Sequence, residues 1–321
     1  MISIRRRAPL LVALLVAVGV GAAPQLAQAR PTPRVRTGEA AGGLPPQGLY
    51  EECPPSSGAQ CAGELARIAS GGFRVVLNYS AWEGSADEIQ TYAAQAAADG
   101  VQVIWPLNDP AWLAPASSTA LLTEYPELAE TCGCSDDLGF EQYAVALTRD
   151  DPATWGWYVG DELAPTQAAS AAALAATVRA LDPGHPTLYV ASANTADPLA
   201  NLRPFASVAG VLGADIYPIG QDVPAAYVGV IAGEVRRVSA AAHVRSAMVL
   251  QAFDWSAYPD ELDAPDPRWP SKRQMLSMRD AALSADPSLI LWYSYEDLSR
   301  AADPARHWHA LVSAAFAPLA G

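Results

Sequence analysis

The feature that most constrains this chain is an alternation. Short apolar runs rich in Val, Ile, Leu and aromatic residues recur eight times, separated by stretches with helical spacing. The runs cover residues 48–52, 73–79, 101–107, 155–159, 187–192, 247–253 and 289–295, with a sixth run approaching Asp215-Ile-Tyr-Pro218. Helical patterns lie at 64–69, 85–99, 140–148, 167–181, 225–242, 273–285 and 304–317. Ser85-Ala-Asp-Glu88 reads as a capping box, and Gly100 as the stop of the helix it opens. No run alternates strictly between polar and apolar residues, as expected of strands buried on both faces. Alternation of this kind predicts a parallel α/β fold. Eight units in roughly 290 residues match a single (β/α)8 TIM barrel. A doubly wound open sheet is the alternative. It would more often carry a Gly-rich phosphate turn after its first strand, and Glu51-Glu52-Cys53-Pro54 is not one. Long loops are expected after the third strand, at 110–138, and after the seventh, up to Ser271.

In such a barrel all strand C-termini face one mouth, where ligands bind. The stretch WGWYVGDEL, residues 155–163, reads as a strand that stops on Asp161 and Glu162. The plainer reading is an Asp that caps the next helix and a Glu in its first turn. Other strand ends carry similar groups. They are Glu51 and Glu52, Asn78 and Tyr79, Asn108 and Asp109, Asn194, Asp215 and Tyr217, Gln251 with Asp254 and Trp255, and Glu296 with Asp297. The mouth should therefore be acidic, amide-rich and aromatic. Asp and Glu can act as acid, base or nucleophile, amides and phenols bind hydroxyls, and Trp stacks on sugar rings. No His lies at a strand end, so a His-based triad has no base. The acids alone could ligate Ca²⁺, but no loop shows Asp-x-Asp spacing, and neither metal nor cofactor is expected.

WGWYVGDEL, followed by Ala-Asp-Ile-Tyr-Pro and then LILWYSYED, resembles the (β/α)8 glycoside hydrolases of the large retaining clan, and is similar to exported actinobacterial proteins of that kind. The resemblance spans most of residues 48–317 at the level of strand order. In that clan the acid/base Glu ends strand four and the nucleophile Glu ends strand seven. Glu162 matches the first position, with Asp161 where Asn is usual. The seventh strand, MVLQAFDW, has no Glu and offers Gln251 and Asp254. The resemblance implies an O-glycosyl hydrolase in which Glu162 is the general acid. Its partner would be Glu296, Asp254 or Asp215. Substrate contacts would come from Asp161, Glu51, Asn78, Tyr79, Trp105, Asn108, Asn194, Tyr217, Gln251, Trp255 and Tyr295. Asp161 should point to the opposite side of its strand from Glu162, and Tyr158 and Trp157 should partly desolvate the Glu162 carboxyl. A non-catalytic carbohydrate-binding or cell-wall protein on the same scaffold is the alternative.

Residues 1–29 read as a secretory signal peptide. Arg5, Arg6 and Arg7 precede an apolar run too short to span a membrane, and Ala27-Gln28-Ala29 is a small-x-small cleavage site. Residues 30–47, rich in Pro, Gly and Arg, should be a disordered lead-in, and residues 48–321 the barrel domain. Export predicts paired cysteines, and Cys53–Cys61 with Cys132–Cys134 is the favoured pairing of three. Three of the 20 basic residues and none of the 34 acidic ones lie within residues 1–29, so the remainder carries a formal charge of −17. Such a surface repels nucleic acid, anionic lipid and polyanionic glycans. The expected partner is thus a neutral or cationic carbohydrate, met by a secreted monomer that is not held on a membrane.

Overall fold

The computed structural model describes residues 43–319, apart from 109, 116, 194–197 and 260–265. The expected signal peptide, most of the lead-in, Asp109 and Asn194 lie outside the described residues.

Eight strands form one closed barrel. They are β1 (Gln47–Glu51), β2 (Val75–Asn78), β3 (Gln102–Pro106), β4 (Thr154–Asp161), β5 (Thr187–Ser192), β6 (Val211–Ile216), β7 (Arg245–Gln251) and β8 (Leu289–Tyr293). Each runs parallel to the next, and β8 closes on β1. This is the α/β TIM barrel that the alternation predicts. The larger crossover helices are α1 (Ala59–Ser70), α2 (Ala86–Asp99), α5 (Asp137–Thr148), α6 (Ala168–Leu181), α8 (Val228–Ala242), α9 (Lys272–Leu283) and α11 (Pro304–Ala315). Shorter ones are α3 (Ala120–Glu124), α4 (Pro126–Cys132), α7 (Pro198–Leu202) and α10 (Tyr295–Arg300). Ser85 and Glu88 do form a capping box on α2, and Gly100 stops that helix with φ of 70°.

Strand side chains feed two cores. Val75, Leu77, Ile104, Val190, Val249 and Leu291 fill the barrel interior. Val76, Val103, Trp157, Leu212, Met248 and Trp292 face outward against helix residues such as Leu65, Ile89, Ala175, Ile231 and Met278. A Cβ on Gly156 would lie 2.3 Å from the Pro186 carbonyl oxygen, so only glycine lets β4 sit this close to the start of β5.

Two segments depart from the sequence expectation. The stretch after β3 is not plain loop, because Asp137 accepts hydrogen bonds from the backbone N–H of Ala120 (3.1 Å) and Leu121 (2.9 Å) and so caps α3. Trp112 packs on Phe140 and Tyr125 at ring distances of 5.7 and 6.2 Å, which gives the segment its own apolar centre. The second departure is at β8, which stops at Tyr293. Ser294 Oγ accepts from the Asp297 N–H at 3.1 Å and starts α10, so Tyr295 and Glu296 are helical residues.

Cys53 is bonded to Cys61 and Cys132 to Cys134, and no free cysteine remains among the described residues. No described helix is long and apolar enough to cross a membrane.

Candidate active site

The site is built on an irregularity in β4. Tyr158 pairs with Leu188 of β5, but the next pair is Asp161 with Val190. Three steps along β4 thus match two along β5, which is a bulge. In a regular strand Tyr158 and Asp161 would face opposite sides. Here the Tyr158 hydroxyl donates to Asp161 Oδ1 at 2.6 Å. Glu162 follows with φ of 46°, a left-handed conformation unusual for a residue with a Cβ. The Glu162 N–H still bonds the Val190 carbonyl at 2.9 Å. Alternation therefore fails at the strand end, and both Asp161 and Glu162 line the mouth. This corrects the expectation that Asp161 and Glu162 diverge. Glu162 itself is exposed. The desolvation expected from Trp157 is absent, because that ring lies in the outer core and donates to Asp182 Oδ2 at 2.9 Å.

Two connected spaces meet at this acid pair. An inner cup of about 150 Å³ is lined by Tyr50, Tyr79, Asp161, Glu162, Asp215, Tyr217, Phe253, Trp255, Tyr258 and Tyr293. An outer cleft of about 540 Å³ is lined by Glu52, Tyr79, Pro106, Asn108, Trp112, Tyr125, Asp161, Glu162, Leu163 and Gln167. The cleft falls within the usual range for ligand sites, about 300–1,000 Å³, and the cup is smaller. Tyr79, Asp161 and Glu162 belong to both.

The tyrosines organise the charge. The Tyr79 hydroxyl donates to Asp161 Oδ2 at 2.6 Å, so Asp161 receives a phenol on each oxygen. Burial, then the Asp161 charge, pushes the Tyr50, Tyr79 and Tyr158 hydroxyls well up, so all three stay protonated donors. Asp215, at the end of β6, is buried. Burial and the Glu162 carboxylate, which is within hydrogen-bond reach, hold the Asp215 carboxyl well above the usual range, with Tyr217 opposing. That shift favours the protonated form of Asp215.

Of the residues that the strand-end pattern nominates, Glu52, Tyr79, Asn108, Asp161, Glu162, Asp215, Tyr217 and Trp255 meet at the mouth. The others lie elsewhere. Glu296 pairs with Arg300 at 2.6 Å on the first turn of α10. Asp254 caps a short turn by accepting from the Ser256 N–H at 2.8 Å. Gln251 is buried and spends its amide on the N–H and C=O of Ile219 and the C=O of Phe253. Asn78 spans the Cys53 carbonyl (2.7 Å) and the Ser80 N–H (2.9 Å). Glu51 faces outward and accepts from the Tyr92 hydroxyl at 2.6 Å. Trp105 packs in the outer core and bonds Thr154 Oγ1 at 2.9 Å. Tyr295 packs edge-on against Trp308 in that same core.

Several mouth residues carry no strong sequence signal. Tyr50, Tyr158 and Tyr293 sit inside apolar runs and read as core. Phe253 reads as the last core residue of its strand, yet it faces the cup. Glu52, unlike these, is a strand-end acid in the sequence pattern, and it lines the cleft, where burial and the neighbouring Glu296 raise its carboxyl. Among the described residues, no group of three or more His, Cys, Asp or Glu is placed to hold a metal ion.

No protein-family model matches this sequence, and no curated protein matches it. Solved structures do resemble the fold. An endo-beta-1,4-mannanase from Thermotoga petrophila aligns with a TM-score of 0.54 at 8% identity, over 85% of this chain and 76% of that one. A family 5 glycoside hydrolase, a mannosidase from Rhizomucor miehei, aligns with a TM-score of 0.54 at 10% identity, over 81% and 85%. A beta-galactosidase from Marinomonas ef1 aligns with a TM-score of 0.58 at 9% identity, over 84% and 59%. At these identities the likeness is one of fold, the (β/α)8 barrel.

Proposed function

We propose that this chain is an exported glycoside hydrolase acting on a neutral or cationic glycan, with Glu162 delivering the proton to the leaving oxygen. One observation carries the reading. At the C-terminal mouth of the barrel, Glu162 is held in a left-handed backbone beside Asp161 and within hydrogen-bond reach of the buried Asp215, whose carboxyl is held well above the usual range. Such a conformation costs on the order of 1–3 kcal/mol and tends to persist where function requires it. A carboxyl open to a cleft, with a buried carboxyl in reach that favours its protonated form, suits a general acid. The cleft places Asn108 and Gln167 near that acid, and side-chain amides suit sugar hydroxyls. The neighbouring folds include enzymes described as a mannanase, a mannosidase and a beta-galactosidase. Two cysteine pairs and the signal-like residues 1–29 favour an oxidising, extracytoplasmic setting.

The experiment is release of reducing ends and of aryl alcohol from a glycoside panel by residues 30–321. Glu162→Gln should lower turnover by about 10²–10⁴ while the melting temperature stays put. Equal turnover by the variant removes Glu162 from the mechanism.

A second reading is favoured by a specific observation. Phe253 occupies the cup where strand seven of a retaining barrel would supply a carboxylate. Binding of glycans on an array without release of reducing ends would select a non-catalytic carbohydrate-binding protein.

A further inference from the structure

The mouth contains an acid and a fixed acceptor, but the acids that the strand ends nominate as its partner, Asp215, Asp254 and Glu296, are not placed for two-carboxylate chemistry. Retaining enzymes of that type hold the nucleophile about 5–5.5 Å from the acid, and inverting ones hold a base about 6.5–9.5 Å away. Asp215 is in contact with Glu162, on the same side of the cup, so it fills neither role. Asp254 is turned to Ser256 and Glu296 to Arg300. The cup walls supplied by β1, β8 and the end of β7 are aromatic: Tyr50, Tyr293 and Phe253.

A nucleophile that the protein does not supply can come from the substrate. We propose that the inner cup takes a sugar bearing a 2-acetamido group, whose carbonyl oxygen is the nucleophile and whose N–H is received by Asp161. This deepens the glycosidase reading and rests on it. Three observations converge. Asp161 adjoins the acid in sequence, and the bulge turns both into the cup. Phenols donating at 2.6 Å to both oxygens fix its orientation as an acceptor. The cup is too small for an oligosaccharide, and its Phe253 and Trp255 faces give an acetamido methyl an apolar seat.

The step balances within the substrate and the carboxyl pair. A proton passes from the buried Asp215 through Glu162, the exposed member, to the glycosidic oxygen. The C1–O bond breaks with its electron pair leaving on the alcohol. The amide carbonyl oxygen bonds C1 and forms an oxazolinium ring, whose N–H hydrogen-bonds Asp161. Water then gives a proton back to Glu162 and attacks C1, and the C1–O(amide) bond breaks. The amide is regenerated, and the anomeric configuration is retained.

The test uses 4-nitrophenyl 2-acetamido-2-deoxyglycosides against the matching 2-hydroxy glycosides, with the first-formed anomer read by proton NMR. The 2-acetamido substrates should react at least about 100-fold faster, as a pre-positioned intramolecular nucleophile allows. The anomer should be retained, and a 1,2-fused thiazoline of the same sugar should inhibit competitively. Asp161→Asn should lower kcat on acetamido substrates more than it raises KM. The wild-type inhibitor and anomer results stand even if that variant does not fold. Equal rates on both series, or an inverted product, overturn the acetamido inference and leave the glycosidase reading intact. Hydrolysis of neither series overturns both.

Discussion

The Tyr79 hydroxyl meets Asp161 Oδ2 at 2.6 Å, tying the residue after β2 to the last residue of β4 across the intervening strand. Tyr158 holds the other oxygen, so the orientation of Asp161 is set by two strands rather than by its own backbone. Hydrogen bonds to charged groups contribute about 1.5–3 kcal/mol. Tyr79→Phe should therefore lower kcat/KM by roughly 10- to 100-fold. The barrel does not depend on this contact, so thermal unfolding should move by only a few degrees. Unchanged kcat/KM in Tyr79→Phe would show that Asp161 is not positioned by this bond.

Burial, then the adjacent Glu162 carboxylate, hold the Asp215 carboxyl well above the usual carboxylate range, which favours its protonated form. Activity should fall on the alkaline side as that proton is lost. Asparagine keeps the shape of the neutral acid but cannot hold or pass the proton. Asp215→Asn should thus move the alkaline limb of kcat/KM to lower pH, since the carboxyl that burial and Glu162 raise is gone. A pH–rate profile on an activated aryl glycoside reads this directly. A limb that stays in place would mean that Asp215 does not share its proton with the working acid.

The barrel was legible because its signals are local. Ser85 and Glu88 cap α2 through groups three residues apart, and Gly100 stops it through its own backbone. Eight apolar runs ending in polar residues also pointed to one mouth. What stayed hidden depends on neighbours. The bulge of β4 exists only in register with β5, so nothing within WGWYVGDEL indicates that Asp161 and Glu162 share a face. Asp254 and Glu296 look equivalent to Asp215 in a strand-end list. The first is turned away by a backbone cap and the second by a helix that begins at Tyr295. Tyr50 and Tyr293 read as core because an apolar run does not reveal which hydroxyls end at the rim.

Gln251 shows how a strand-end amide can be wholly structural. Its side chain closes two bonds with Ile219, at 2.8 and 3.0 Å, and one with Phe253 at 3.2 Å, all buried. Gln251→Leu would leave those backbone groups unpaired, at roughly 1–3 kcal/mol for each orphaned group. Urea unfolding should show a lower midpoint with little change in slope. A variant as stable as the wild type would return Gln251 to the candidates for sugar binding.

Glu51 carries the last prediction. It is fully buried at the end of β1, accepts from the Tyr92 hydroxyl through Oε2, and its Oε1 has no hydrogen-bond partner. Burial pushes its carboxyl up to about 8, against the pull of Tyr92 and with help from Glu64 and Glu296. In the unfolded chain the same group titrates near 4.5. Between those values the folded protein binds more protons than the unfolded one, so stability falls as pH rises. The contribution of Glu51 is complete below about 4.5, and it is lost as pH rises through about 8. Glu51→Gln keeps an acceptor for Tyr92 but removes the titration. Melting temperatures taken from pH 5 to 9 should decline less steeply in Glu51→Gln than in the wild type. Parallel curves would show that Glu51 ionises in the folded protein as readily as in the unfolded chain.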